Sequence, residues 1–169
     1  MKKQKLNLPT TCFLLLAFSF LLTTGMQCKK SSETPKEVLP AETQTGKGTF
    51  GCLVNGEVWL PIGKSFIPAL STTIQFNILS IHTNRNDENL VFGIRSVLNI
   101  GEYNLKKNDN LAEFSIGSVS YKCKEGIMTI TKYDKTTQII SGTFSLTAQN
   151  DNGEIINITE GRFDDKYTN

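Results

Sequence analysis

Few residues in this chain are equipped for chemistry. His82 is the only imidazole, and there are four cysteines. A histidine-based nucleophilic site needs an acid and an activated Ser or Cys beside the ring. His82 instead closes a strand-like run next to Thr83 and Asn84, where an exposed surface histidine is the simpler reading. A single histidine also excludes multi-histidine metal sites. Acid-amide clusters occur at residues 84–89 and 150–154. Oxygen-rich loops can hold calcium, but neither has EF-hand spacing, and turn chemistry accounts for both. Asp164 and Asp165 look paired, yet near a chain end they are expected to be solvated. Glycoside hydrolysis needs two carboxylates at a fixed separation across a cleft, and nothing in the pattern fixes one. No nucleophile elbow, P-loop or His-Glu-x-x-His is present. The reading is therefore a non-enzyme with no catalytic residues, no metal and no cofactor.

The remaining cysteines acquire meaning from the segments around them. Lys2, Lys3 and Lys5 precede an uncharged stretch from Leu6 to Cys28 whose apolar centre is residues 13–22, FLLLAFSFLL. A positive start, a short apolar core and small residues after it form the pattern of a secretory signal, assigned to residues 1–27. A transmembrane anchor is the competing reading, since the uncharged stretch just reaches the length that spans about 30 Å of hydrocarbon. Cys12 would leave with the signal. Cys28, followed by Lys29-Lys30-Ser31-Ser32, resembles the lipobox and tether of bacterial lipoproteins, with cleavage after Gly25 as the alternative. That resemblance implies a thiol carrying lipid. Each buried methylene contributes roughly 0.8 kcal/mol, so two or more acyl chains hold a domain on a bilayer.

Removing the signal changes the charge. The whole chain has 18 Lys+Arg and 16 Asp+Glu. Three lysines and no acid lie in residues 1–27, which leaves 15 against 16 and a net charge of −1. No basic stripe remains to support nucleic-acid binding. Residues 28–48 read as the lipidated cysteine and a disordered tether. Residues 29–48 are polar, contain Pro35 and Pro40 and show no periodicity, so they lack the apolar area to offset ordering. As a coil they extend on the order of 25 Å.

From Thr49 to Asp165 strand signals recur at the spacing of all-β domains. Thr49–Val54 and Glu57–Leu60 flank Asn55-Gly56, a strong hairpin signal. Its register sets Val54 against Glu57, Leu53 against Val58 and Cys52 against Trp59. Thr72–Thr83 starts with Ile74, Phe76 and Ile78 on one face and then switches to Leu79 and Ile81, which predicts a bulge. Strands follow at Leu90–Val97, Gly101–Leu105 and Ala112–Ile116. The pairs Gly126–Tyr133 with Gln138–Ala148, and then Glu154–Thr159, complete the set. In the next-to-last strand Ile140, Phe144, Leu146 and Ala148 face one way, with Thr143, Ser145 and Thr147 opposite, the habit of an antiparallel sheet with one wet face. Eight or nine strands predict a single antiparallel sandwich or partly closed barrel, with residues 166–169 fraying.

Cys52 and Cys123 remain in the exported part, where oxidation is permitted. A bridge between them would close a loop of about 70 residues and contribute about 4 kcal/mol on the chain-entropy model. Two buried free thiols are the alternative.

Three pieces taken together, Cys28-Lys29-Lys30, the opening Phe50–Trp59 (FGCLVNGEVW) and the close from Ile140 through Gly161-Arg162-Phe163-Asp164, resemble a family of small uncharacterised Bacteroidota lipoproteins. The resemblance implies an exported all-β domain with no established activity. The expectation is a lipid-anchored protein of the cell envelope, on the outer membrane with the face left open, acting by binding or as a structural element. Its partner would be the bilayer through the acyl chains, with an envelope protein or small apolar ligand in addition. The alternative is a calycin-like barrel carrying a small apolar ligand, which would show as an apolar interior cavity of about 300 Å³ or more.

Overall fold

A computed structural model describes residues 36–97, 99–107 and 109–169. The signal peptide, Cys28 and residues 29–35 lie outside the described residues. Glu37–Asn169 forms one compact unit. The described residues contain ten strands and no helix: β1 (Thr49–Val54), β2 (Glu57–Trp59), β3 (Leu70–Gln75), β4 (Ile78–Arg85), β5 (Glu88–Arg95), β6 (Gly101–Asn104), β7 (Leu111–Ile116), β8 (Val119–Asp134), β9 (Ile139–Gln149) and β10 (Ile155–Lys166). They form one antiparallel sheet in the order β2-β1-β10-β9-β8-β7-β5-β4-β3, with β6 pairing the lower half of β8.

The sheet curls until its ends meet. Beyond β10, Thr168 bridges Thr73 of β3, with Ile74 N–H donating to the Thr168 carbonyl at 2.9 Å and Thr168 N–H to the Thr72 carbonyl at 3.0 Å. At the opposite rim the β1–β2 hairpin meets β4 and β5. There Trp59 Nε1 donates to Glu88 at 2.6 Å, and Ile62 N–H to the Asn84 carbonyl at 2.6 Å. The result is a partly closed barrel.

Its interior is filled by the inward alternate residues. Phe144 of β9 touches Phe92 of β5 edge-on, ring centroids 4.9 Å apart, although these strands are not neighbours in the sheet. Phe50 joins them at 5.2 Å, and Trp59 stands edge-on to Phe114 of β7 at 6.0 Å. Such contacts across the lumen require it to be a packed core. Gly161 makes one of them possible. It pairs with Phe144 in the ladder, and a Cβ there would occupy the space of the Phe144 ring.

Several expectations need correction. The β1–β2 register is as read, Cys52 against Trp59 included. The stretch 72–83, however, is two strands and not one bulged strand. Phe76 and Asn77, both at positive φ, form a two-residue turn between β3 and β4. A turn shifts the phase of alternation just as a bulge does, and Phe76 lies exposed at its tip. This split brings the strands to ten, against the eight or nine the sequence predicts. The C-terminus does not fray. Tyr167 is buried, and residues 167 and 168 close the barrel. The tether is shorter than read, because the segment from Glu37 onward lies against the barrel. Outward-facing Gly51 admits it, since a Cβ there would come within 2.8 Å of Pro40 and of Leu60.

Candidate functional site

Asp164 explains why that segment docks. It is buried, and its carboxylate accepts hydrogen bonds from Thr43 Oγ1 at 2.6 Å, Gly46 N at 2.7 Å, Ser141 Oγ at 2.8 Å and Thr45 N at 3.0 Å. Lys47 N adds a longer contact at 3.3 Å. Burial pushes this carboxyl upward, but the donors outweigh burial and hold it well below the usual carboxylate range. The reading of Asp164 as a solvated chain-end acid is therefore corrected. It is a clamp whose acceptor sites are already taken. Burial pushes neighbouring Asp165 up, with the Asp164 charge adding to the shift and the Thr72 hydroxyl and Lys166 N–H opposing it.

The expected Cys52–Cys123 bridge is also corrected. Both thiols are free and buried. Cys52 lies on β1 and Cys123 on β8, which are not neighbours in the sheet, so no ladder pairing sets the two opposite each other. A disulfide requires Cα atoms within about 7 Å. Burial pushes the Cys52 thiol up to about 12, so thiolate chemistry is closed to it. Trp59 packs on Phe50 and Phe114 instead of a bridge. His82 faces outward and exposed on β4. The cluster at 84–89 is the tip of the β4–β5 hairpin, with Asn86 and Asp87 as its turn, and 150–154 is the turn between β9 and β10. Asn150 Oδ1 accepts from the backbone N–H of Asn152 and Glu154 at 3.0 and 2.9 Å. Among the described residues, no three His, Cys, Asp or Glu side chains converge as a metal would need.

What the fold does build is a furrow on the outer face. The outward residues of β9 are short: Thr143, Ser145 and Thr147. Longer side chains stand on either side, Glu125 and Ile127 on β8 and Arg162 on β10, with Glu42 from the docked segment. A row of short side chains between two taller rows leaves a groove. Its upper part encloses about 520 Å³, lined by Asn104, Glu125, Ile127, Ser145, Thr147 and Asn157 among others. A second part of about 410 Å³ shares Ile127 and Ser145 with the first and adds Glu42, Thr129, Glu160 and Arg162. Hydroxyls and amides line this surface together with the Glu42, Glu125 and Glu160 carboxylates and the Arg162 guanidinium, and Ile127, Leu146 and Ile158 add apolar surface. It can hydrogen-bond a polar partner, and it has no activated nucleophile. The wet face of β9 was legible in the sequence. The furrow was not, because it depends on which strands flank β9.

Residues 64–165, well over half of the chain, match the family model described as Domain of unknown function (DUF6252). The chain belongs to this family. The match covers the closing motif from Ile140 to Asp164 and leaves out the Phe50–Trp59 opening and everything before it. No curated protein and no solved structure matches the chain.

Proposed function

We propose that this DUF6252 chain is an exported lipoprotein of the kind its resemblance to Bacteroidota chains implies. It is held on the envelope membrane by acyl chains on Cys28, and its β domain works without catalysis, by binding an envelope partner or bracing an assembly. The observation that carries the reading is the order of segments. A basic start and an apolar core end at Cys28, and eight residues later the chain joins a strap that Asp164 clamps to the barrel. Lipid on Cys28 would thus bear on the domain through a short, anchored connection. The outer furrow supports a binding role, with hydroxyls, amides, carboxylates and some apolar surface suited to a polar or peptide-like partner. The packed interior gives the calycin-like alternative no support, since Phe50, Phe92, Phe114 and Phe144 occupy the space a lumen ligand would need.

Membrane fractionation tests this reading. Wild-type chain should sediment with membranes and resist high salt. The Cys28→Ala variant should lose that lipid hold and shift toward the soluble fraction. Equal membrane recovery of both would remove Cys28 from the anchor.

A further inference from the structure

The loop between β2 and β3 presents apolar side chains to solvent in a way the fold does not require. Phe66 is 97% exposed and Ile67 50%, with Ile62 beside them at 44%. The loop is not loose. Lys64 and Ile67 exchange both backbone hydrogen bonds, at 2.9 and 2.8 Å, so Ser65 and Phe66 form a tight tip. Its base is held on β4. Ile62 N–H donates to the Asn84 carbonyl, Asn84 N–H to the Ala69 carbonyl, and Asn84 Nδ2 to the Pro68 carbonyl at 2.9 Å. An ordered apolar tip without a cover marks a contact site.

The next residue of β4 shows what lies nearby. Arg85 pairs with Glu37 at 3.1 Å, where the chain enters the barrel unit. Asn84 thus holds the base of the loop while Arg85 holds the incoming chain, at the same rim. Only eight residues, 29–36, separate that rim from Cys28. At full extension they span no more than about 29 Å. The loop from Leu60 to Ala69 carries one charge, Lys64, and no acid. A basic residue beside aromatic and aliphatic side chains suits the boundary between headgroups and acyl chains.

We infer that the Lys64–Ile67 tip docks on the lipid bilayer itself, setting the barrel rim-down on the membrane with Phe66 in the headgroup boundary. This rests on the anchor reading above. It goes beyond it by fixing the orientation of the domain, with the furrow of β9 standing along the side of an upright barrel, open to partners.

The test uses the full chain in isolated membranes. Phe66→Cys and, separately, Phe76→Cys are labelled with an environment-sensitive fluorophore. Phe76 is as exposed as Phe66 but lies at the opposite end of β3. Cys52 and Cys123 are buried and serve as silent background, and labelling of unsubstituted chain corrects for any other thiol. The membranes are then loaded with phosphatidylcholine bearing a nitroxide on its acyl chain. The expected result is a blue-shifted emission quenched by the lipid nitroxide at position 66, at a depth of about 5–10 Å, and neither effect at position 76. An anchored chain with unquenched label at 66 overturns the docking and leaves the anchor standing. A blue shift at 66 without lipid quenching means that protein covers the tip, which also overturns it. Recovery of the unsubstituted chain free of membranes overturns the anchor, and the docking with it.

Discussion

Replacing Asp164 with alanine removes the acceptor that Thr43, Thr45, Gly46 and Ser141 share. Hydrogen bonds to a buried charge contribute more than neutral ones, so we expect a loss of about 2–4 kcal/mol. Residues 43–47 should become accessible to protease first. The pH dependence follows from the direction of the shift. The folded carboxyl is held below its unfolded value near 3.9, so its contribution is fully present above about pH 4 and is lost as pH falls toward the folded value. Asp165, raised mainly by burial, works in the opposite sense and gains stability on protonation. Urea denaturation of wild type and Asp164→Asn from pH 6 to pH 2.5 should show the gap between them narrowing as pH falls. A constant gap would mean that the carboxylate charge is not what the clamp uses. At this scale the exposed place of His82 and the turn at Asn150 were legible from sequence, but the clamp was not. Asp164 lies within the Gly-Arg-Phe-Asp ending, but apart from Ser141 its partners are more than a hundred residues away, in a segment whose composition reads as a tether.

Strand elements were more legible because they declare themselves locally. Asn55-Gly56 fixed the register of β1 and β2, and the alternation of β9 separated its core face from its wet face. The β3–β4 hairpin escaped because its turn holds Phe76, an apolar residue at positive φ that copies the signature of a core position. The C-terminal closure escaped because polar residues at a chain end carry no pattern. That closure makes a prediction at the element scale. Deleting Tyr167–Asn169 removes a buried aromatic that faces Tyr133 at 5.8 Å, together with the Thr168 bonds to β3. The cost should be about 2–4 kcal/mol, seen as a lower urea midpoint. Hydrogen exchange should rise first in the amide of Ile74. Deleting Asn169 alone should leave both unchanged. Equal effects from the two deletions would remove Tyr167 and Thr168 from the closure.

For the whole molecule, the sequence determines the class and leaves the contents of the barrel undecided. Eight or nine amphipathic strands are compatible with a hollow barrel or a filled one. The choice lies in how Phe50, Phe92, Phe114, Phe144 and Trp59 meet across the lumen, which is a matter of long-range pairing. A filled barrel moves any binding to the outside, to the furrow along β9 and the apolar tip at Phe66. On the anchoring proposed above, the leader and Cys28 would deliver the domain to a membrane and hold one rim close to it, which would give both surfaces their sense. The most direct measurement of that claim is the mass of the N-terminal peptide from chain extracted from native membranes. The account predicts a peptide that begins at Cys28 and carries a diacylglyceryl group on sulfur. A peptide that still includes residues before Cys28, or a bare Cys28 thiol, would contradict it.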